Sequence, residues 1–394
     1  MVGMTAAIAL AQGGLKVTLA DPLARESVTA ASFDGRVSAI NYSSARMYRA
    51  LGIWAELEPH AQAISDILVT DGAIDKGASP FSLHFDHAEA GEPLGYMVEN
   101  RFIRVGLFAR AEKEPNLTSL SGAAAASISV AADEVIVTLK DGSETAAQLV
   151  IAADGRNSQL REAQGIDTVS WEYPQTGIVT TVTYERPHNG VAYEHFLPSG
   201  PFAILPMQGN RSAIVWTEKK ELVPALLALS DEDFLAEIGR RFGAHLGRLT
   251  GVGPRWSYPL SFHLARGFVR PRFALVGDAA HAIHPIAGQG LNLGFKDVAA
   301  LCETVLDAAR LGLDYGELDT LKRYERWRRF DSFVLGAGTD ALNRLFSTDA
   351  APVRLARDLG MGAVDRVGPL RRFFMRQAGG ETGKMPRLLR GEAA

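Results

Sequence analysis

The densest chemistry in the sequence lies in Leu275-Val276-Gly277-Asp278-Ala279-Ala280-His281-Ala282-Ile283-His284-Pro285-Ile286-Ala287-Gly288-Gln289-Gly290-Leu291-Asn292. A carboxylate ends an apolar run, a proline kink follows, and a Gly-x-Gly step opens a long helix. Asp278 at such a strand end can bind polyol hydroxyls. The helix start, Gly288 to Asn292, offers backbone N–H donors and the positive end of a helix dipole, with glycines keeping side chains out of the way. That arrangement suits a bulky planar ring with one electron-rich edge. A second segment, Ile151-Ala152-Ala153-Asp154-Gly155-Arg156-Asn157-Ser158, sets Asp154 and Gly155 at a strand end before a Ser-capped helix start. His281 and His284 stand three apart near Asp278, but Pro285 and the glycine run make this a loop, and no metal site is expected.

Strands and helices must hold these turns. Residues 4–13 read as a small-residue helix and Leu15–Ala20 as a strand ending in Asp21. Helix, strand and terminal acid form the second half of a dinucleotide-binding βαβ unit. Gly3 takes the third-glycine place, where helix touches strand, and Asp21 is the carboxylate that accepts ribose hydroxyls. The first strand and first two glycines of that unit are not among these residues, so tighter ligand binding is expected of a chain extended upstream. Val135–Leu139 and Ala147–Ala153 read as a hairpin across Asp141-Gly142. Ile178–Tyr184, Ala192–Leu197, Ala203–Pro206 and Ser212–Thr217 read as a second sheet, and Leu222–Phe242, Gly290–Ala309 and Leu318–Phe346 as helices. Strand-rich segments interrupt the α/β segments, so interleaved domains are expected.

Composition narrows the function classes. In 394 residues, 47% apolar and 22% charged, there is ample material for a folded core. Lys and Arg total 41 against 45 Asp and Glu, which argues against nucleic acid as a partner. The single cysteine, Cys302, excludes a disulfide framework or a multi-thiolate centre within the chain. No run is long and apolar enough to span a bilayer, and the start lacks a basic signal-peptide region, so a cytoplasmic location is expected.

Three segments occur in the order and spacing of class A flavin monooxygenases, the group containing para-hydroxybenzoate hydroxylase: Gly3/Asp21, Asp154-Gly155 and Gly277-Asp278. Arg36-Val37-Ser38-Ala39-Ile40, the long run from His281 to Gly294, and the tail through Met385-Pro386-Arg387-Leu388 resemble more closely the ubiquinone-biosynthesis hydroxylases. The likeness covers essentially the whole chain. It implies an α/β fold in which a Rossmann-like FAD-binding domain (1–70, 101–165 and 265–345), with a truncated first βαβ unit, is interleaved with an antiparallel-sheet substrate domain (71–100 and 166–264). A helical tail (346–394) would follow.

The resemblance also implies residue roles. Asp21 would hold the adenosine ribose, and Arg36 would lie over the FAD pyrophosphate. Asp154 and Gly155 would serve the segment shared with the reductant, and Gly277-Asp278 the ribityl or pyrophosphate part. Pro285 would face the reactive ring edge, and N–H groups of Gly288, Gln289, Gly290, Leu291 and Asn292 would stabilise negative charge on reduced flavin. The reaction implied is hydroxylation of a polyprenylated phenol or quinol by a flavin C4a-hydroperoxide. O2 would be the co-substrate, and NAD(P)H or a small redox protein the electron donor. Phe196, Phe202 and Trp216 are candidates for an aromatic substrate pocket. A halogenase, an isoprenoid reductase and a flavin-poor scaffold subunit are the alternatives. The tail from Val353 is basic, and Arg371-Arg372-Phe373-Phe374-Met375-Arg376 mixes charge with bulk; it is expected either to pack as a helix or to dock on the inner membrane face or a biosynthetic complex.

Overall fold

A nine-stranded sheet dominates the computed structural model, which describes residues 1–30, 35–74, 77–284, 288–346, 364, 366–381 and 383–394. Its order is His281–Ala282, Trp256–Ala265, Thr168–Tyr184, Arg211–Lys219, Gly200–Met207, Val191–Leu197, Asp66–Ala73, Gly77–Asp86, with Leu249–Val252 paired to Thr168–Tyr184 off this path. Neighbours are antiparallel except Val191–Leu197 and Asp66–Ala73, which run parallel.

Side-chain alternation gives this sheet two working faces. On one, Ile178, Val182, Phe202, Ile204, Ile214 and Trp216 pack against Phe234, Ile238 and Phe242. Those three lie four apart on helix Asp231–Phe242 and form its apolar stripe. Ser230 caps that helix by accepting from Asp233 N (3.1 Å), with three acids in the first turn and Arg240 and Arg241 in the last. The cap also explains why the run expected to be one helix from Leu222 divides into Val223–Leu227 and Asp231–Phe242. The opposite sheet face carries Ala192, Val69 and Leu205 and packs in a cluster with Val37 and Ala39.

The α/β part is built around helix Val2–Gln12, buried from Met4 to Ala11. It packs on a parallel pair, Val17–Asp21 with Leu117–Ser121, and on the sheet Val150–Ala152, Phe273–Leu275, Val269–Arg270. A Cβ at Gly3 would stand 3.1 Å from the Ala153 Cβ, so only glycine lets this helix sit so close to the strand end. The hairpin expected at 135–153 is corrected. Val135–Leu139 pairs with Glu144–Ala147, whereas Val150–Ala152 pairs in parallel with Phe273–Leu275. The apolar character of Val150-Ile151-Ala152 suits a strand covered on both faces. Helix Gln289–Arg310 and helix Leu318–Phe346 cover this layer, and Tyr324 Oη donates to Leu275 O (2.6 Å). Helix Gly368–Ala378 packs through Met375 in a cluster with Ile64, Phe85, Leu94 and Met97. No described helix is long and apolar enough to cross a membrane.

Candidate active site

Strand Phe273–Leu275 leads into Gly277, whose φ of 61° turns the chain so that Asp278 stands exposed between buried neighbours. The turn is held from below by Asp297. Its Oδ2 accepts from Gly277 N (3.0 Å) and from His281 Nε2 (2.5 Å), and its Oδ1 accepts from Arg328 Nε (2.9 Å). Arg328 also donates to Asp331 Oδ2 (2.9 Å), which Lys296 Nζ approaches at 3.1 Å. Asp297 and Arg328 are fully buried. Burial pushes the Asp297 carboxyl up, but His281 and Arg328 outweigh it and hold the group below the usual carboxylate range. His281 is thus a hydrogen-bond partner of Asp297.

Ten residues on, helix Gln289–Arg310 starts at Gly288 in the left-handed region (φ 62°), with no side-chain cap and no acid in its first turn. A Cβ on Gly288 would lie 3.2 Å from that of Ala39, and no atom lies within 4 Å of one built on Gly290. Space is thus open beside Gly290 in the first turn, whose N–H groups no side chain caps among the described residues. Asn292 fastens this end to strand Val37–Asn41: its Oδ1 accepts from Asn41 N (3.0 Å) and its Nδ2 donates to Ala39 O (2.8 Å). Gln289 Nε2 donates to Ala378 O (3.2 Å), while Leu291 packs on the main core. Pro285 lies outside the described residues. Its neighbour His284 is fully buried, neither ring nitrogen has a hydrogen-bond partner among the described residues, and burial pushes it down to about 4. The ring meets Tyr173 edge-on at 5.2 Å, and Tyr173 Oη donates to Asp340 Oδ1 (2.9 Å).

The first carboxylate joins this place from the other side. Asp21, Asp278 and Arg104 all lie within electrostatic reach of the Met1 amino group before helix Val2–Gln12. Asp21 Oδ1 also accepts from Leu23 N (2.9 Å). Arg104, on helix Asn100–Ala111, was not legible as a site residue, because a single Arg on a mixed helix face carries no motif. Arg36 is exposed at the entry to strand Val37–Asn41. Asp154 Oδ2 accepts from Leu160 N (3.3 Å) over helix Gln159–Ala163, and Gly155 has a φ of 85°.

The structure does not bring the three candidates for an aromatic pocket together. Phe202 and Trp216 are fully buried on the sheet face that packs against helix Asp231–Phe242, away from the glycine turn. Both have the parity of Ile204 and Ile214, which share the cluster with that helix. Phe196 lies on the reverse face, stacked on Phe346 at 4.0 Å between ring centroids.

Exposed carboxylates and a helix start without a side-chain cap are groups that fit polyol hydroxyls and an electron-rich ring edge. Residues 1–329 match the family model described as FAD binding domain. The chain is 51% identical to ubiquinone hydroxylase UbiL of Rhodospirillum rubrum, over 99% of its own length and 91% of that protein's. It belongs to the FAD-binding hydroxylases of ubiquinone biosynthesis. Within this family it is also 34% identical to the 3-demethoxyubiquinol 3-hydroxylase of Escherichia coli, over 96% of each chain. The family fold extends to p-nitrophenol 4-monooxygenase PnpA from Pseudomonas putida DLL-E4, with a TM-score of 0.78 at 19% identity, covering 98% of this chain and 96% of that one.

Proposed function

We propose that this flavoprotein hydroxylates the aromatic ring of a polyprenylated phenol or quinol in ubiquinone biosynthesis. The observation that carries the reading is the uncapped helix start at Gly288 beside exposed Asp278, in a chain half identical to a ubiquinone hydroxylase. FAD, when bound, supplies activated oxygen from O2 after reduction by a nicotinamide or a small redox protein. Asp21 and Asp278 hold the hydroxyls of its ribose and ribityl parts, and Arg36 and Arg104 face the pyrophosphate charge. The N–H groups of Gly288 to Asn292 stabilise negative charge on the ring edge. Asp154 and Gly155 serve the approach of the reductant, and Pro285 the reactive edge. Phe196, on the sheet face that looks toward strand Val37–Asn41, belongs to the substrate side.

The substrate's polyprenyl chain calls for a lipid surface, and helix Gly368–Ala378 offers one contact. Met375 anchors it while Leu370, Phe373 and Phe374 are exposed beside exposed Arg372 and Arg376. Phe330 and Val334 of helix Leu318–Phe346 and Gln377 line one cavity of about 120 Å³ next to it. Much of the tail's basic charge is answered internally: Arg371 pairs with Glu89, Arg387 with Asp307, and Arg390 with Glu392. The lipid contact therefore rests on the aromatic residues more than on charge. It places a cytoplasmic protein peripherally on the inner membrane face, where a biosynthetic complex would meet it.

Deleting the gene and identifying the quinone intermediate tests the reading. A precursor lacking one ring oxygen should accumulate and disappear on restoring the intact gene, but not the Asp278→Ala variant. An unchanged quinone profile would refute it.

A further inference from the structure

Strand Val191–Leu197 reads Val-Ala-Tyr-Glu-His-Phe-Leu, and its glutamate is out of place for a strand covered on both faces. Alternation sends Tyr193, His195 and Leu197 one way and Ala192, Glu194 and Phe196 the other. Tyr193 and Leu197 belong to the core around helix Asp231–Phe242. Ala192 belongs to the cluster with Val37 and Ala39, and Phe196 stacks on Phe346. Glu194 thus sits between Ala192 and Phe196 on the face that looks toward strand Val37–Asn41, the strand Asn292 ties to the glycine turn.

We infer that Glu194 accepts the hydroxyl proton of the substrate's aromatic ring. This rests on the ring-hydroxylase reading above. Its cross-strand partners are Ala203 and Val69, both apolar, and it is 7% exposed. Among the described residues its carboxyl has neither hydrogen bond nor ion pair. A buried carboxyl without a partner is costly, and a phenolic O–H entering this face supplies the partner it lacks. The other titratable groups on this face of the central strands are Asp71, whose Oδ1 accepts from Gly72 N, Arg211, paired with Glu99, and Lys219 at the far end. His195 projects to the reverse face and bonds Thr70 Oγ1 at 2.7 Å. The elements packed over the face bring apolar Val37, Ala39, Met375 and Phe346. Burial alone raises Glu194 to about 8, close to working pH, where a general base is most effective.

The step balances simply. The ring O–H bond breaks, its proton goes to a Glu194 carboxylate oxygen, and the electron pair stays on the ring oxygen. The ring carbons ortho and para to it become more nucleophilic towards the oxygen delivered from the flavin side. After transfer of an OH group the substituted carbon gives its C–H proton to the oxygen left on the peroxide-level donor, and Glu194 returns its own proton to the ring oxygen.

The test uses FAD-loaded enzyme, a 2-prenylphenol and its methyl ether, with binding followed through the flavin absorbance from about pH 6.5 to about pH 9.5. For the parent, the preference for phenol over ether should rise about tenfold to hundredfold, with a midpoint near 8. The preference should be flat for Glu194→Gln and retained in weakened form by Glu194→Asp. In a single turnover Glu194→Gln should hydroxylate about a hundredfold to ten-thousandfold more slowly, with FAD affinity and flavin reduction unchanged. A flat preference in the parent, or hydroxylation by Glu194→Gln within about threefold of it, would overturn the role of Glu194 while leaving ring hydroxylation standing. A parent that neither binds nor hydroxylates the phenol would overturn both.

Discussion

Asp297 lies behind the Asp278 turn, bonded to Gly277 N, and should govern how that turn holds FAD. Its carboxylate accepts from Gly277 N, His281 and Arg328, and both Asp297 and Arg328 are at 0% exposure. Asp297→Ala strands a guanidinium and an imidazole in the core and frees the N–H that shapes the Asp278 turn. Breaking a buried pair in this way costs about 3–5 kcal/mol, whereas replacing both partners by apolar residues is often nearly neutral. The double variant Asp297→Leu/Arg328→Met should therefore be more stable than Asp297→Ala alone, by about 2 kcal/mol or more. FAD affinity should still fall about tenfold in both, because Gly277 has lost its acceptor in each. Urea unfolding of the flavin-free protein and fluorescence titration with FAD measure the two effects separately. The pH must be chosen by sign. The folded-state pKa of Asp297 lies below its ordinary value, so its stabilisation is complete above that ordinary value and is lost only as pH falls through the folded one. Neutral pH thus reads the full network. Additive costs in the two single variants and the double would refute the reasoning, as would unchanged FAD affinity.

Asp278→Ala should leave a folded protein that binds FAD about tenfold to hundredfold more weakly, the worth of a charge-assisted hydrogen bond of roughly 1.5–3 kcal/mol; fluorescence titration checks it. His195, His263 and His284 are each pushed down to about 4, burial being the largest cause. The unfolded chain protonates them near 6.5, so stability should fall as pH drops from about 6.5 to about 4, by at most about 3 kcal/mol per residue, and His284→Leu should flatten that slope in urea titrations. Phe373→Ser/Phe374→Ser should reduce pelleting with anionic vesicles at both low and high salt, whereas Arg372→Gln/Arg376→Gln should reduce it only at low salt. Equal pelleting of all three proteins would remove the lipid surface from the account.

What could be read in the sequence was local. Asp278, Gly288 and the helix behind them lie within one short segment, so their order alone reveals a carboxylate beside a helix dipole. The Asp297–His281–Arg328 network was not legible, because its members are 16 and 31 positions apart and each looks ordinary on its own helix or turn. Sheet faces were not legible for a different reason. Strands covered on both sides carry apolar residues at every position, so nothing local says that Phe202 and Trp216 turn toward helix Asp231–Phe242. The same covered strands make Glu194 conspicuous in retrospect: a carboxylate amid Ala192, Tyr193 and Phe196 breaks the apolar run, and only the register shows which face it takes. His281 and His284, so alike in sequence, part in the structure, one bonded to Asp297 and the other with both ring nitrogens unpartnered among the described residues.

The most direct measurement is the fate of isotopically labelled O2 in a reaction of the FAD-loaded protein with a reduced electron donor and a 2-prenylphenol. Ring hydroxylation predicts one labelled oxygen atom in the aromatic product and none from labelled water. Donor oxidation that yields only hydrogen peroxide, or a product carrying oxygen from water, would contradict it.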